Sequence, residues 1–360
     1  MGARKWWWSM LESEGENRMI KQIVKVLKEI QEISGYKVIE NTEQSNQAFY
    51  VLGKLETVRL VETKEAIVTI YHNNGEYLGT SSFIVSHNLT KKALMEKIND
   101  AIFAAKFVKN KPFELVKGEK KKTFKSKPIN EKPVEIIEEI ATIFNNEKTD
   151  NAKFNALEIF LNTKISHLVN SNGVDLTKTI HNIEIEAIPS YDGPNDKVEL
   201  YKNYKYLSYD KNQITEDAKN AIKDVEARYN AKKLENVATI DIVLNNHDVE
   251  EFFYNAIADY SYSSVYNGST DKKINDMIQS DDAKTKLNIA FAPSSSANAF
   301  DSDGIILHKH QVIEDGRLVN YYGSSQFGQY LGLTPSGNAD ELQVTKGKKT
   351  KEVLCKGEYL

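Results

Sequence analysis

Two tight-turn dipeptides, each set between stretches of alternating apolar and polar residues, constrain the fold of this 360-residue chain more than any other feature. The first, Asn74-Gly75, lies between "EAIVTIYH" and "YLGTSSFIV". The second, Asn172-Gly173, lies between "KISHLVN" and "TIHNIEIEAIP". Asn-Gly tolerates the positive φ that a tight hairpin turn needs, and a period of two is typical of half-buried strands. The sequence therefore predicts two antiparallel hairpins.

Each hairpin has further strands before it and a helix after it. The additional strands predicted are "NQAFYVLG" and "ETVRLVE" in the first unit and "FNALEIFLN" in the second. Thr90 is predicted to cap the first closing helix, which runs to about residue 108, and "TEDAKNAIKDVEARYNAKKL" is the second. Helical spacing also appears over residues 19–34 and after Pro133, which suits a first helical position. The repeated order suggests an old duplication, although similar hairpin chemistry could produce it by chance.

The pattern changes from about residue 236. A strand "VATIDIVL" is predicted to lead into the stretch "NNHDVEEFFYNAIADY", and "KLNIAFAP", "HKHQVIEDG" and "RLVNYYGSS" are predicted strands. The predicted fold class is therefore α+β, with two hairpin-plus-helix units followed by a mostly antiparallel-sheet C-terminal domain. The predicted divisions are a leader or start-site artefact at 1–17, an N-terminal α+β domain at 18–108, a Lys-rich linker at 109–132, a central α+β domain at 133–235 and the C-terminal domain at 236–360.

Composition excludes several classes of protein. Hydrophobic residues make up 40% of the chain and charged residues 27%, which is ordinary globular composition. The net charge of −4 does not favour a dedicated nucleic-acid binder. The single cysteine, Cys355, excludes a disulfide framework and favours a reducing compartment. Because no apolar run is long enough to span a bilayer, we expect a cytoplasmic protein without membrane association.

Six lysines fall between residues 117 and 127. They could form a patch for nucleic acid or another anionic surface, or they could belong to a solvated linker. The linker is favoured because no arginine and only one aromatic residue, Phe124, accompany them. Binding to nucleic acid is therefore not expected.

Several stretches contain residue types that can bind metal or attack a substrate. His247 stands beside Asp248, which raises the question of a zinc-binding helix, whereas an amphipathic helix is the simpler reading. His308 and His310 would share one face of a strand, but a metal site needs further ligands. The stretch "DSDG" at 301–304 is similar to the start of a calcium-binding loop, but the later ligands of such a loop do not follow. The stretch "PSSSAN" at 293–298 offers serines as nucleophiles, but it lacks the tight turn that exposes a nucleophilic serine.

Four stretches, in their order and spacing, resemble the TldD/PmbA family, whose members are described as modulators of DNA gyrase and as peptide-maturation proteases. They are "SHLVNSNGVDLTKT", "IDIVLNNHDVEEFF", "FDSDGIILHKHQVIEDGRLVNYYGSSQFGQYLG" and "LTPSGNAD". The resemblance extends over about residues 20–345. It implies that a family structural motif is formed by Asp301, Asp303, Gly304, Gly337 and Asn338.

The resemblance also implies what the helix after "IDIVL" does. The family pairs two homologous subunits, and the TldD type carries His-Glu-x-x-x-His on this helix, where two imidazoles one turn apart bind zinc and the glutamate acts on a bound water. Counted from the strand end, these positions fall on Tyr254, Asn255 and Asp259, while His247 lies earlier, at the helix entry. Tyrosine and asparagine do not supply the imidazole and the base. The chain is therefore closer to the TldE/PmbA type, with no catalytic residue, no metal ligand and no cofactor of its own, and zinc is expected only in a TldD-like partner.

This reading predicts a subunit of a TldD/TldE-type metallopeptidase complex that acts in proteolysis or peptide maturation. Its expected partners are a TldD-like homologous subunit and an unfolded peptide substrate, with a homodimer in isolation. Two alternatives remain: a peptidase with a divergent metal site, such as one built on His308 and His310, and a DNA- or gyrase-associated regulator. Family members usually continue well beyond the point where this chain ends in "CKGEYL", so we expect an incomplete last domain with an open sheet edge.

Overall fold

The computed structural model describes residues 18–86, 89–118, 120–129, 132–233, 239, 242–244, 247–345, 347, 349–350 and 353. The predicted leader at 1–17 lies outside the described residues. The described chain combines helices with a large, mainly antiparallel sheet and a second, small antiparallel sheet. The predicted α+β fold class is thereby confirmed.

The first unit consists of a helix, three antiparallel strands and a second helix. These elements are α1 (Arg18–Lys28), β1 (Gly35–Val51), β2 (Lys54–Asn74), β3 (Tyr77–Ser86) and α2 (Lys91–Ala105). The Asn74-Gly75 turn is confirmed between β2 and β3, and the Thr90 hydroxyl caps α2 by accepting the Ala93 N–H at 3.2 Å. α1 ends six residues earlier than the predicted residue 34 (34 − 28 = 6), because the chain turns there to enter β1.

The strands of this unit are longer than predicted. "ETVRLVE" and "EAIVTIYH" form one continuous strand, β2, and β1 begins at Gly35 instead of near residue 46. The polar stretch at 41–47 belongs to β1 because its backbone groups pair with β2 on one side and with the second unit on the other. Backbone pairing on both sides outweighs the low strand propensity of these residues.

The second unit repeats this order after one short strand. Its elements are β4 (Lys122–Lys125), α3 (Pro133–Asn146), β5 (Ala152–Asn170), β6 (Asp175–Asp192), β7 (Lys197–Glu199), β8 (Lys202–Tyr206) and α4 (Lys211–Asn230). The predicted strands "FNALEIFLN" and "KISHLVN" are one strand, β5. Gly173 has a φ of 91° in the turn that leads to β6, as a tight turn at Asn172-Gly173 requires.

Residues 109–132 are not a free linker. β4 pairs in parallel with β6, from Lys122/Leu176 to Lys125/Thr179. The backbone N–H of Gly118 donates to the carbonyl of Asn172 at 3.1 Å. The interpretation of this segment as a solvated linker is corrected for β4, because Phe124 within it is partly buried in a core cluster and holds the strand in place.

The two units share one eight-stranded sheet with the order β3-β2-β1-β5-β6-β4, with β7 and β8 also paired to β6. The central pair, β1 and β5, runs antiparallel from Lys37/Asn170 to Val51/Ala156 without a register shift. The sheet is therefore continuous across the boundary between the units.

The four helices of these two units, α1 to α4, cover the same face of this sheet, which we call the helix face. α1 and α2 pack on residues that include Val38 and Val68, and α3 and α4 pack on residues that include Ala48 and Ile159. Val38 and Ala48 are an even number of residues apart on β1, so they point to the same side. The two helix pairs therefore lie side by side over one surface.

The C-terminal unit docks on the opposite face. Ile39, Leu168 and Leu176 on that face form a buried cluster with Phe300 and Ile306 of the third unit. This contact places the turn at residues 301–304 against the large sheet.

The C-terminal unit is built around a small antiparallel sheet. Its elements are α5 (His247–Ile257), a 3-10 turn (Ala258–Tyr260), α6 (Tyr262–Tyr266), β9 (Ile289–Ala292), β10 (His310–Glu314), β11 (Arg317–Leu318), α7 (Ser325–Tyr330) and β12 (Glu341–Val344). The sheet order is β11-β10-β9-β12, which confirms a mostly antiparallel C-terminal domain. Asp315-Gly316 forms the β10–β11 turn.

One predicted strand of this unit is not found. Of "VATIDIVL", residues 237–238 and 240–241 lie outside the described residues. Residues 239 and 242–244 are described, belong to no strand, and expose Ile242 and Leu244. The prediction of a buried strand is therefore wrong for residues 242–244.

Candidate functional site

The helix α5 packs through a narrower apolar face than predicted. Phe253 and Ile257, four residues apart, contact the core of the C-terminal unit, and Ile257 is fully buried. An amphipathic helix would also place the apolar residues Phe252 and Ala256 on this face, but both are exposed. Residues spaced by three or four lie on one side of a helix, so positions directly before Phe253 and Ile257 are rotated away from the core.

The three positions that the resemblance assigns to a zinc motif lie on the solvent side of this helix and of the turn after it. Tyr254 and Asn255 are exposed on α5, and Asp259 is exposed in the 3-10 turn. The Tyr254 ring meets the buried Phe291 ring edge-on, with centroids 6.2 Å apart. Asp259 therefore lies beyond the end of the α-helix, where the chain changes direction.

The buried side chain of Tyr322 lies next to the end of α5. Burial raises the pKa of the Tyr322 hydroxyl, and the nearby Tyr254 and Asp259 raise this pKa further. The Tyr322 hydroxyl donates to the carbonyl of Ile257 at 3.4 Å. Tyr254 and Asp259 thus both influence Tyr322 electrostatically, whereas Asn255 is exposed to solvent.

The donor atoms at these positions do not fit a zinc ion. A zinc site of this type needs two neutral imidazoles and a further ligand, whereas a phenol, an amide and a single carboxylate stand here. Within the described ranges, no group of three or more His, Cys, Asp or Glu side chains is arranged to hold a metal ion. His247 begins α5, and its side chain lies outside the described residues, as do His87 and Cys355.

His308 and His310, the two histidines of the alternative metal site, lie in different surroundings. β10 begins at His310, so His308 lies before the strand and is exposed. The Nε2 atom of the His310 side chain forms a hydrogen bond with the main-chain carbonyl oxygen of Tyr321, at 2.8 Å. Their expected arrangement on one strand is therefore not formed.

The residues that the resemblance assigns to a structural motif form a compact hydrogen-bonded turn around Asp301. This buried carboxylate accepts the N–H groups of Asp303 at 2.9 Å and Ile305 at 3.0 Å on one oxygen, and that of Asn338 at 3.2 Å on the other. Burial raises the pKa of Asp301, and neighbouring Asp303 adds to this rise. Gly304 and Gly337 have φ values of 89° and 75°, which L side chains adopt rarely. Asp301 therefore organises the turn and ties it to the segment before β12.

Asp303 connects this turn to the large sheet. Its carboxylate accepts a hydrogen bond from Lys37 Nζ of β1 at 2.8 Å and another from the N–H of Ser325, at the start of α7, at 3.1 Å. The side chains of Lys37 and Asp303 are only 15% and 24% exposed. This partly buried ion pair fixes the C-terminal unit on the sheet.

A second lysine of the sheet reaches the same unit. Lys178 Nζ donates to the side-chain oxygen of Asn298 at 2.6 Å and to the carbonyl of Phe300 at 2.8 Å, and lies 4.8 Å from the centroid of the Phe300 ring. Burial lowers the pKa of Lys178. Sequence reasoning missed Lys37 and Lys178, because single lysines on strands carry no signal in a chain so rich in lysine.

The remaining candidates have structural partners. The Ser294 hydroxyl donates to Asp340 at 2.6 Å, which makes "PSSSAN" a loop anchored by a carboxylate. The six lysines at 117–127 are exposed, and Phe124 between them faces the core cluster. No helix in the described ranges is long and apolar enough to cross a membrane.

Comparison with known proteins agrees with this architecture. Residues 238–357 match the family described as "PmbA/TldA metallopeptidase C-terminal domain". The fold is similar to that of TldE from Thermococcus kodakarensis, with a TM-score of 0.72 and 16% identity over 93% of this chain and 79% of that one. It is similar to a putative modulator of a DNA gyrase from Thermotoga maritima, with a TM-score of 0.72 and 11% identity over 92% of this chain and 78% of that one. It is also similar to a putative modulator of DNA gyrase from Bacteroides thetaiotaomicron, with a TM-score of 0.70 and 17% identity over 91% of this chain and 77% of that one. No curated protein sequence matches the chain.

The C-terminal unit thus matches a metallopeptidase-related domain, and it packs on the large sheet that the first two units share. The predicted resemblance to the TldD/PmbA family is confirmed for residues 238–357 by this domain match, and the similar structures share the fold over more than nine-tenths of the chain.

Proposed function

We propose that the chain is a non-catalytic, TldE/PmbA-like subunit that pairs with a TldD-like zinc peptidase in proteolysis or peptide maturation. The observation that carries this proposal is the residue set at the expected metal positions on α5 and in the turn after it. Tyr254, Asn255 and Asp259 offer neither the two imidazoles nor the glutamate that the zinc chemistry requires. No step of peptide hydrolysis is therefore assigned to this chain, and zinc belongs to the partner.

The small sheet offers a place where peptide could lie. β12 is an outer strand of the order β11-β10-β9-β12, and within the described ranges only β9 pairs with it. An extended peptide can add to such an edge through main-chain hydrogen bonds, with alternate side chains giving specificity. We propose that unfolded peptide is held along β12 while the partner's zinc site cleaves it.

Co-expression with a TldD-type chain tests the pairing. We expect the two chains to co-elute in size-exclusion chromatography, and peptidase activity to require the TldD-type chain and to be lost on chelation. A TldD-type chain whose glutamate is replaced by glutamine serves as the matched control, since it should still pair without cleaving. Failure of the two chains to form a complex would remove the main support for a paired subunit.

Elemental analysis separates this proposal from a peptidase with its own divergent site. We expect no stoichiometric zinc in the purified chain. Zinc near one equivalent, with chelator-sensitive cleavage by this chain alone, would overturn the non-catalytic assignment.

The exposed lysines allow a similar test of a DNA-associated role. Binding dominated by phosphate contacts weakens steeply with salt. We expect no measurable affinity for duplex DNA even at low salt, which fluorescence anisotropy can measure.

We also propose that the chain works in the cytoplasm, which suits its single cysteine, and that it forms a homodimer in isolation. Homologous partners present similar surfaces, so two copies of one subunit can imitate the natural pair. Light scattering at high micromolar concentration tests this, and a monomer there would contradict it.

A further inference from the structure

The chain contains three asparagines that are followed directly by glycine, Asn74, Asn172 and Asn267. Asparagine is a thermolabile residue, because its side-chain amide can be lost as ammonia. The loss requires the main-chain nitrogen of the next residue to reach the side-chain carbon, and glycine hinders this approach least because it has no Cβ. Since all three sites share this pair of residues, the fold determines which of them can react.

The side chain of Asn74 is held in place through both of its polar atoms. Its Nδ2 atom donates to the carbonyls of Ala105 at 3.0 Å and Val108 at 2.9 Å, and its Oδ1 atom lies 2.6 Å from Nδ1 of His72. These contacts must break before the side-chain carbon of Asn74 can meet the main-chain nitrogen of Gly75. The fold therefore protects this site.

Asn172 is held by the segment that packs on its turn. Its Nδ2 atom donates to the carbonyl of Leu115 at 2.7 Å, and its main-chain carbonyl accepts the N–H of Gly118 at 3.1 Å. A Cβ built on Gly173 would lie 3.2 Å from the carbonyl oxygen of Gly118, so little space remains around this turn. The second site is therefore protected as well.

Asn267 differs from the other two in having a free side chain. It is the C-terminal cap of α6, and both it and Gly268 are exposed. Its side chain forms no hydrogen bond with any other residue that the structure describes. A Cβ built on Gly268 would meet nothing within 4 Å, so the main-chain nitrogen has open space around it. The site is held by main-chain hydrogen bonds, from Asn267 to Ser263 at 3.0 Å and from Gly268 to Val265 at 3.1 Å.

We infer that Asn267 is a site of spontaneous deamidation in the folded protein, whereas Asn74 and Asn172 are protected. The main-chain nitrogen of Gly268 attacks the side-chain carbon of Asn267, and the bond between that carbon and the amide nitrogen breaks. The amide nitrogen leaves as ammonia and takes the proton that the main-chain nitrogen loses, which leaves a succinimide ring. Water then opens the ring at one of its two carbonyls and gives aspartate or isoaspartate. Water is the only co-reactant.

The product changes the charge at the end of α6. A neutral amide becomes a carboxylate next to the last carbonyls of the helix, where the partial charge of the backbone is already negative. This end of α6 packs against α7, since the ring centroids of Tyr266 and Tyr330 are 5.1 Å apart. The inference concerns the chemistry of this chain alone, so it goes beyond the proposed subunit role and does not depend on it.

A timed incubation of the purified full-length chain at mildly alkaline pH tests the inference. Peptide mapping by mass spectrometry follows the conversion of each of the three asparagines. We expect Asn267 to convert at least about tenfold faster than Asn74 or Asn172, because side-chain hydrogen bonds must open first at those two sites. The same incubation in guanidinium chloride is the control, and there the three sites should convert at similar rates because unfolding removes the protection.

Two variants test the route and the product. Gly268→Ala places a Cβ beside the attacking nitrogen, so conversion of Asn267 should become several-fold slower while Asn74 and Asn172 are unchanged. The new Cβ meets no neighbour, so the variant should fold although Gly268 has a φ of 75°. Asn267→Asp carries the charge of the product, so the converted wild-type chain should elute with it in ion-exchange chromatography.

The outcomes are distinct. Equal rates at the three sites in the folded chain would overturn the inference, because the fold would then give no selective protection. Conversion of Asn267 only in guanidinium chloride would also overturn it, since the folded site would then be closed. An unchanged rate in Gly268→Ala would overturn the proposed attack by the nitrogen of Gly268.

Discussion

The ion pair between Lys37 and Asp303 should couple the C-terminal unit to the large sheet energetically. The perturbation is a double-mutant cycle with Lys37→Met, Asp303→Asn and the combination. Methionine keeps the apolar stem of the lysine, and asparagine keeps an oxygen for the Ser325 N–H. The cycle isolates the pairwise interaction from the effect of each single change.

The structure sets the expected size of this coupling. Lys37 Nζ lies 2.8 Å from the carboxylate, and the two side chains retain only 15% and 24% of their exposure. Hydrogen bonds to charged groups away from water contribute about 1.5–3 kcal/mol. We expect a coupling free energy of about 1.5–2.5 kcal/mol, toward the lower part of that range because some solvent reaches both groups.

The assay is urea unfolding at pH 7, followed by circular dichroism, for all four proteins. The control cycle uses Glu43 and Lys164, which also form a cross-strand ion pair, at 3.1 Å, but remain 42% and 49% exposed. Exposed pairs contribute about 0.2–1 kcal/mol, so this cycle should give a smaller value. A coupling for Lys37 and Asp303 no larger than that of the control would refute the view that this pair fixes the docking.

Three further results are expected. Asp301→Ala should lower the free energy of unfolding by at least about 3 kcal/mol in urea titrations, because three backbone N–H groups lose their acceptor, whereas Ser302→Ala, at an exposed neighbour, should change it by less than about 0.5 kcal/mol. Gly337→Ala should lower the melting temperature more than Gly332→Ala does. Both glycines have positive φ, but only at Gly337 would a Cβ come within 2.7 Å of Leu307. Equal decreases in melting temperature would mean that crowding against Leu307 does not matter. Burial lowers the pKa of His181 in the folded protein, so the unfolded chain takes up a proton first as the pH falls below about 6.5, and stability should drop on acidification. Urea midpoints at pH 7.5 and 5.5 measure this, and His181→Gln should show a smaller drop.

Local patterns predicted the hairpins and helices well. Both Asn-Gly turns, the Thr90 cap and the two closing helices, α2 and α4, follow from signals that depend on neighbouring residues alone. The β1–β2 turn was not recognised, because Leu52 adopts a φ of 48° that leucine rarely takes and that only the surrounding strand pairing imposes.

Features that depend on distant partners could not be predicted. The polar residues in the middle of β1 suggest that the strand is interrupted there. Ser45 among them is nevertheless buried, and its hydroxyl donates to the side-chain oxygen of Asn162 on β5 at 2.6 Å. β4 has no strand signal in a lysine-rich segment and forms because β6 offers an edge. At the candidate site, the family resemblance pointed to Tyr254, Asn255 and Asp259, but no sequence pattern predicted that the α-helix ends before Asp259 or that Tyr254 and Asp259 influence Tyr322.

The unbroken pairing of β1 with β5 has a consequence for how this protein responds to proteases. The segment between the two units crosses the surface with exposed lysines, which are natural sites for trypsin. A cut there would break the chain without separating the two fragments. The β1 strand of one fragment and the β5 strand of the other would stay paired by main-chain hydrogen bonds from Lys37/Asn170 to Val51/Ala156. The two pieces would behave as one folded body until a denaturant opens the sheet.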